Sequence, residues 1–264
     1  MAWFSWRARR QLAAIAVVSA AAGIVLFFFG SRLIPAPGCF DNRRNQGEIQ
    51  VDCGGPRCGS CELKNAKPLG VFWARATRAA PELYDASALV ENPNETLSSA
   101  RLEYVFTFFD DTGIVAQRTG ATFFYPQERL VIVEPGLRAA RDPLRVEFQV
   151  SGVSWRSGGE TPPRVIVEER SYRIADEGGK KKSIVEASLF NESPFDFRAM
   201  ETTVALFDEG GNLMGANKTT SGDFRSRSRA RARFVWPEAL GESVARIEIY
   251  PRVNIFDPAA MVRP

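Results

Sequence analysis

The sequence contains no histidine among its 264 residues. This absence excludes Ser-His-Asp and Cys-His catalysis, histidine metal ligands and switching by imidazole protonation. Neither sign of charge is in large excess, because 34 lysines and arginines balance 31 aspartates and glutamates, a formal net charge of +3. A charge this small gives no general attraction to polyanions, so we expect no nucleic-acid partner. Helical periodicity of convincing length is also missing outside one N-terminal segment.

That segment, Leu12 to Phe29, is apolar and uncharged. At a helical rise of about 1.5 Å per residue it reaches roughly 27 Å, close to the hydrocarbon thickness of a bilayer. Arg7, Arg9 and Arg10 precede it and only Arg32 follows it closely, so the positive-inside rule places the N-terminus in the cytoplasm. We predict cytoplasmic residues 1–11, a single-pass membrane anchor at 12–30 and an extracytoplasmic remainder.

Two alternatives would also export the remainder. The first is a cleaved secretory signal, but its apolar region usually runs about 7–15 residues and no small-x-small cleavage site closely follows Phe29. The second is a lipoprotein modified at Cys39, but Arg32, Pro35 and Pro37 interrupt the apolar approach to that cysteine. The sequence therefore favours a retained anchor in the cell membrane.

The four cysteines fall within one short stretch, at Cys39, Cys53, Cys58 and Cys61. An even count in an exported chain predicts two disulfides that hold together a small cysteine-rich module, which we place at residues 31–65. Four cysteines allow three connectivities, and the sequence does not choose among them. A four-thiolate zinc site is the alternative, although an oxidising compartment disfavours free thiolates.

From Cys39 to Cys61 the residues read C-x-D-x-x-x-N-x-x-E-x-x-x-D-C-G-G-P-x-C-x-x-C. This pattern resembles a short cysteine module of surface and secreted proteins, in which glycine usually stands at the position of Asn42. Asparagine also tolerates the left-handed backbone conformation. In such a module the side chains of Asp41, Asn45, Glu48 and Asp52 could supply the oxygen ligands of Ca²⁺. The favoured alternative is that they cap turns, and we expect no other cofactor.

From Ala66 to Pro258 the chain repeats itself weakly at a spacing of about 100 residues. Val105 to Gly113 parallels Thr203 to Gly211, and Arg145 to Gln149 parallels Arg246 to Tyr250, in the same order. The repeat predicts a duplicated domain. We place the two copies at residues 66–155 and 160–258, with a join at Ser154 to Pro163.

Each copy shows short strands separated by turns. Leu102, Tyr104, Phe106 and Phe108 alternate and would share one face of a strand, and Phe109 to Gly113 would form the following hairpin turn. Such strands over about 90 residues are typical of an immunoglobulin-like β-sandwich. The predicted fold class is mainly β: one transmembrane helix, a disulfide-stapled module and two tandem sandwiches.

A second resemblance rests on Asn92 after the first strand, and on Phe109-Asp110-x-x-Gly113 and Phe207-Asp208-x-x-Gly211 after the long strands. These features resemble the FxLYD class of bacterial surface domains, although the tetrapeptide that gives the class its name is absent. The resemblance implies β-sandwich domains and a surface location.

Arginines recur at period two near the C-terminus, at Arg225, Arg227, Arg229, Arg231 and Arg233. On a strand this spacing would place all five guanidinium groups on one face at intervals of about 6.6 Å. Such a row could bind phosphates or carboxylates of an anionic envelope polymer. The alternative, which we favour, is a solvated strand whose charges resist edge-to-edge aggregation.

We therefore expect a non-enzymatic, membrane-anchored protein that binds or scaffolds other envelope proteins or anionic envelope polymers. One alternative is a structural subunit or accessory factor of a larger envelope assembly. Another is an enzyme that uses the carboxylates of Asp110, Asp111, Asp208 and Glu209. Because these acidic residues occupy turn positions that aspartate fills for backbone reasons, the enzyme hypothesis is the least favoured.

Overall fold

The computed structural model describes residues 6–33, 36–241 and 243–262, so residues 1–5 of the predicted cytoplasmic segment lie outside the described part. The chain divides into two compact units, Met1–Lys64 and Asn65–Pro264. Strands account for 51% of the structure and helices for 12%. The predicted fold class, mainly β with one N-terminal apolar helix, is confirmed.

The first unit contains one long helix, α1, Trp6–Leu33. Its segment Trp6–Gly30, 25 residues long, is apolar enough to cross a membrane and is 0% buried within the protein. A membrane-spanning helix needs about 20 such residues. A retained span and a signal sequence near the N-terminus share these properties. After the cysteine-rich segment, the unit ends with a one-turn helix, α2, Cys61–Lys64.

The second unit begins with six strands, which we call the N-terminal sandwich. They are β1 (Gly70–Ala80), β2 (Leu83–Glu91), β3 (Leu97–Phe109), β4 (Ile114–Phe124), β5 (Arg129–Arg138) and β6 (Arg145–Ser157). They form two antiparallel sheets, β1-β2-β5 and β4-β3-β6. Leu102, Tyr104, Phe106 and Phe108 are buried between the sheets, and β3 turns into β4 at Asp110 to Gly113. The predicted shared face and hairpin turn are confirmed.

The remaining strands form the C-terminal sandwich and a small appended sheet. They are β7 (Val165–Asp176), β8 (Lys181–Asn191), β9 (Asp196–Phe197), β10 (Met200–Phe207), β11 (Leu213–Ser221), β12 (Arg229–Trp236), β13 (Arg246–Arg252) and β14 (Met261–Val262). Its sheets are β7-β8-β12 and β11-β10-β13, the same strand order as in the N-terminal sandwich, and β9 pairs with β14.

The connection between the sandwiches is shorter than the sequence suggests. Strand β6 continues to Ser157 because Ser154 and Ser157 pair with Arg101 and Leu97 of β3. Only residues 158–164 connect the strands, and they contain the glycines and prolines that suggested a join. At the other end, β14 lies beyond the expected boundary at residue 258 and pairs with β9.

The two sandwiches are stacked sheet on sheet. On β5, Leu130 and Ile132 face the core of the N-terminal sandwich, whereas Val131 and Val133 face the C-terminal sandwich. Strand β10 alternates in the same way, with Val204 and Leu206 in its own core and Ala205 and Phe207 facing the N-terminal sandwich. Both inner sheets are therefore buried on two faces, as parallel-sheet strands usually are. The four sheets lie in the order β4-β3-β6, β1-β2-β5, β11-β10-β13, β7-β8-β12.

Polar contacts fasten the same interface. Arg252 of β13, 6% exposed, donates from Nε to Glu128 at 2.8 Å and also bonds the carbonyl of Phe123. The Tyr125 hydroxyl donates to the carbonyl of Val253 at 2.5 Å. A buried guanidinium paired with a carboxylate and a carbonyl is costly to separate, because separation leaves an uncompensated charge. The sandwiches therefore behave as one body.

Candidate functional site

The cysteine module is closed by two disulfides, Cys39–Cys58 and Cys53–Cys61. The prediction of two disulfides is confirmed, and the pairing of first with third and second with fourth is one of the three connectivities that the sequence left open. The zinc alternative is wrong, because no cysteine sulfur remains as a thiol. Among the described residues, Cys39, Glu48 and Cys58 come close enough to hold a metal, but both sulfurs belong to the disulfide.

The four predicted oxygen donors do come together, and most of their carboxylate oxygens already accept hydrogen bonds, whereas Asn45 Oδ1 is buried without a hydrogen-bond partner. Asp52 Oδ1 accepts the N–H groups of Asp41 at 2.9 Å and Asn42 at 3.0 Å. Glu48 Oε2 accepts the N–H groups of Asn45 and Asp52. The side-chain amide of Asn45 bonds Asp41 at 2.7 Å and is the largest cause that lowers the pKa of Asp41. A cation would have to displace these donors, so the geometry favours turn capping over calcium coordination.

The module's turns depend on left-handed backbone positions. Asn42 has φ of 58°, as its place at the usual glycine position suggests. Gly55 has φ of 79°, and a Cβ atom there would lie 2.3 Å from the carbonyl oxygen of Gly47. Only glycine fits this position, which accounts for one residue of the Cys-Gly-Gly sequence.

The arginine row is shorter than predicted, because β12 begins at Arg229. Arg225 and Arg227 are exposed but precede the strand, and Arg227 has φ of 54°, which no strand residue adopts. The cause is the buried side chain of Asn191, whose amide donates to the carbonyls of Phe224 and Arg225. The prediction that all five guanidinium groups share a strand face is therefore wrong. Three of them do.

Carboxylates neutralise two of the three arginines on β12. Arg229 binds Glu168 through two hydrogen bonds of 2.8 Å and holds the pKa of that carboxyl below its usual range. Arg233 contacts Glu177 at 2.6 Å and lies 3.6 Å from Glu186. Arg231 has no carboxylate partner among the described residues. This mixed pattern of charge favours a solvated face over a polyanion site.

The arginines occupy positions that are apolar in the N-terminal sandwich. Across β8, Arg231 and Arg233 pair with Ser188 and Glu186, and across β2 the corresponding positions of β5 are Val131 and Val133. The backbone supports this correspondence, because Gln127 and Arg227, four residues before Val131 and Arg231, have φ of 55° and 54°. The arginines thus replace the valines that face the neighbouring sandwich.

A cleft of about 430 Å³ opens where the two facing inner sheets diverge. Sheet β1-β2-β5 contributes Trp73, Leu89 and Arg129, and sheet β11-β10-β13 contributes its other wall. The residues of that wall are Phe207, Arg246, Glu248 and Tyr250, with Gly211 at one end. Trp73, Leu89 and Tyr250 pack against the buried inter-sandwich cluster and form an apolar floor.

Charged groups line the rim of this cleft. The Arg246 guanidinium lies 4.4 Å from the ring centre of Phe207 and 3.3 Å from Glu248. The Tyr250 hydroxyl donates to Glu248 at 2.6 Å, and burial raises the pKa of Tyr250. Arg129, exposed on the opposite side, lies 4.2 Å from the ring centre of Phe72 and 4.0 Å from Glu91. The cleft therefore offers aromatic surface, two cationic groups and one carboxylate acceptor.

Sequence reasoning did not find this cleft, since its two walls are distant in the sequence: even the nearest residues, Arg129 and Phe207, are 78 positions apart. Two signals were present. Leu130 to Val133 and Val204 to Phe207 are continuous apolar runs, which indicate strands buried on both faces. In addition, the repeated pairs Arg145-x-Glu147 and Arg246-x-Glu248 mark the same strand in each sandwich.

No known protein family matches this chain, and a search of curated proteins finds no similar sequence.

Proposed function

We propose that the chain is a membrane-anchored protein whose residues 33–264 lie outside the cytoplasm and bind or scaffold cell-envelope components without catalysis. The apolar segment Trp6–Gly30 supports the anchor, and the arginines at its start, Arg7, Arg9 and Arg10, support a cytoplasmic N-terminus. The two disulfides support an exported location, because such bonds persist in oxidising compartments.

The sandwiches are immunoglobulin-like in this proposal. Sheets β1-β2-β5 and β4-β3-β6 correspond to the strand orders A-B-E and C′-C-F of that fold, without strands D and G. The same order in β7-β8-β12 and β11-β10-β13 supports a duplication. Both the resemblance to FxLYD domains and that of the cysteine module agree with a bacterial surface protein.

The observation that carries the proposal is the joining of the two sandwiches into one body. A flexible tether would leave two domains free to move, whereas here a salt bridge of 2.9 Å between Lys218 and Glu134 adds to the contacts of Arg252 and Tyr125. Stacked sandwiches hold their binding surfaces at fixed positions relative to each other. This rigidity suits a scaffold that presents surfaces at a membrane.

The candidate catalytic carboxylates support a role without catalysis. Asp110 accepts the N–H groups of Thr112 and Gly113 and pairs with Arg141 at 2.9 Å. Asp208 accepts the backbone and side-chain amides of Asn212. These bonds lower the pKa values of both aspartates, so both stay ionised and serve the hairpin turns.

The test is to express the full chain in bacterial cells and to measure its location and its retention by the envelope. We expect it to stay in the membrane after alkaline extraction, with residues 65–264 accessible to protease only from outside. The solubilised full chain should sediment with isolated envelope polymers. A protease-protected β region, or a chain that stays in the supernatant, would contradict the proposal.

A further inference from the structure

The cleft between the sandwiches combines an aromatic floor with a cationic rim. Its floor carries the rings of Trp73, Phe207 and Tyr250, and its rim carries Arg129 and Arg246. Its volume of about 430 Å³ lies within the range of about 300–1,000 Å³ that is usual for ligand pockets. Both walls of the cleft belong to the same compact unit, Asn65–Pro264.

The charges around the cleft favour an anionic ligand. Arg246 and Arg129 stand on opposite walls, and Arg75 adds a third guanidinium 5.2 Å from the ring centre of Trp73. Glu248 pairs with Arg246, and Glu91 lies 4.0 Å from Arg129, so the three guanidinium groups outnumber the two carboxylates. Guanidinium groups recognise carboxylates through two parallel hydrogen bonds.

The aromatic floor narrows the ligand class further. A pyranose ring has an apolar C–H face that packs against an aromatic ring, and a polar edge whose hydroxyl groups donate to a carboxylate such as Glu248. An acidic peptide has no such combination of an apolar ring face and a hydroxyl-bearing edge.

We propose that this cleft binds a carboxylated sugar unit of an acidic polysaccharide. Arg246 and Arg129 bind the carboxylate, Trp73 and Tyr250 pack against the sugar ring, and Glu248 accepts a hydroxyl group. The assignment rests on the proposed function, since it names the ligand class of the envelope-binding body.

The sandwiches supply a matched control. Arg145 lies 4.3 Å from the ring centre of Phe109 and pairs with Glu147, as Arg246 does with Phe207 and Glu248. In the described part of the chain no sheet faces this second arginine, so the local geometry is the same but the cleft is absent. Arg145→Gln and Arg246→Gln therefore differ chiefly in whether they remove a cleft residue.

The experiment measures binding of hexagalacturonate by the full chain in detergent, using calorimetry and ligand-observed NMR. We expect Arg246→Gln to weaken binding roughly tenfold and Arg145→Gln to leave it within about twofold. Arg129→Gln should also weaken it, and a neutral hexasaccharide should bind at least roughly tenfold less tightly. Affinity should fall as salt rises, because exposed charges are screened over about 8 Å at physiological ionic strength.

Several results would overturn the assignment: no binding of hexagalacturonate by the folded chain, equal binding of the neutral sugar or of hexaglutamate, or equal losses in Arg246→Gln and Arg145→Gln. Sedimentation with envelope polymers separates this failure from failure of the proposed function. If the cleft variants sediment as the unchanged chain does, the sugar site is wrong but the scaffold remains. If the unchanged chain does not sediment, the proposed function fails first.

Discussion

The inward face of sheet β1-β2-β5 and the outward face of sheet β7-β8-β12 have the same strand order but opposite character. On the first face Val131 lies opposite Leu89, and both contact the C-terminal sandwich. On the second face Arg231 lies opposite Ser188, and the arginine is exposed. The backbone is alike, and the difference is whether another sheet covers the face.

The partner faces differ in the same way. On β10 and β11, the paired residues Ala205 and Ala216 are buried against the N-terminal sandwich. The corresponding pair on β3 and β4 is Thr107 and Gln117, whose side chains hydrogen-bond to each other at 3.1 Å. Both ends of the stack thus carry polar residues where its middle carries small or apolar ones. Terminal repeats of stacked proteins need such polar outer faces to stay soluble, so the stack ends at two sandwiches.

The largest expected effect comes from placing arginines, the residues of the outward face of β12, on the buried face of β5. Val131→Arg with Val133→Arg would bury two guanidinium groups at positions that are 0% and 2% exposed. An uncompensated buried charge costs about 3–5 kcal/mol, so the double variant should lose most of its stability. Chemical denaturation of the full chain, followed by circular dichroism, measures the change. A midpoint close to that of the unchanged protein would show that the sandwiches do not stack as described.

The sequence correctly predicted the features that depend on residues close together in the chain. Alternation on β3 and the Asp-x-x-Gly turn after it depend on residues close in the chain, and the cysteine pairs lie within one short segment. The apolar runs of β5 and β10 indicate burial on both faces, but no short-range pattern tells which strand covers which, as in the cluster that joins Val131 to Phe207. The prediction of five arginines on one strand was wrong for a related reason. Asn191, distant in sequence, fixes the turn that precedes β12, so the strand begins only at Arg229.

A second prediction uses Asp85, which is 3% exposed and accepts the Gly136 N–H at 2.9 Å. The indole of Trp236, from the C-terminal sandwich, lies near its carboxylate. Burial raises the pKa of Asp85 from 3.8 to about 6. Because the folded state holds this proton more tightly than the unfolded state, the free energy of unfolding falls as pH rises between those two values.

Asp85→Asn removes this dependence while its amide oxygen can still accept the Gly136 N–H. We expect stabilisation of about 3 kcal/mol at pH 7 and little difference near pH 4, read from denaturation midpoints across that range. Asp110→Asn is the matched control with the opposite sign, since the pKa of Asp110 is lowered and its contribution is lost as pH falls. The prediction is wrong if the stability gained by Asp85→Asn over the unchanged protein is smaller at pH 7 than at pH 4. That result would show that the carboxylate is not buried in the interface.

The smallest change in stability comes from replacing the outward arginines of β12 by valines. This exchange is also the sharpest test of the comparison between the buried and the exposed face. Arg231→Val with Arg233→Val gives the outward face the residues of the buried one. The ion pairs of Arg233 are partly exposed, with its side chain 46% accessible, so their loss should cost no more than about 1 kcal/mol.

The effect should instead appear in assembly. An apolar face on one end of the stack that meets β4-β3-β6 of the next chain makes a heterologous contact, which does not close on itself. Sedimentation of the full chain in detergent should therefore show mass that grows with protein concentration in the valine variant. The control Arg231→Lys with Arg233→Lys keeps the charge and should match the unchanged protein. If the valine variant keeps one mass at every concentration, the arginines do not limit stacking, and the polar residues Thr107 and Gln117 on the opposite end suffice to stop it.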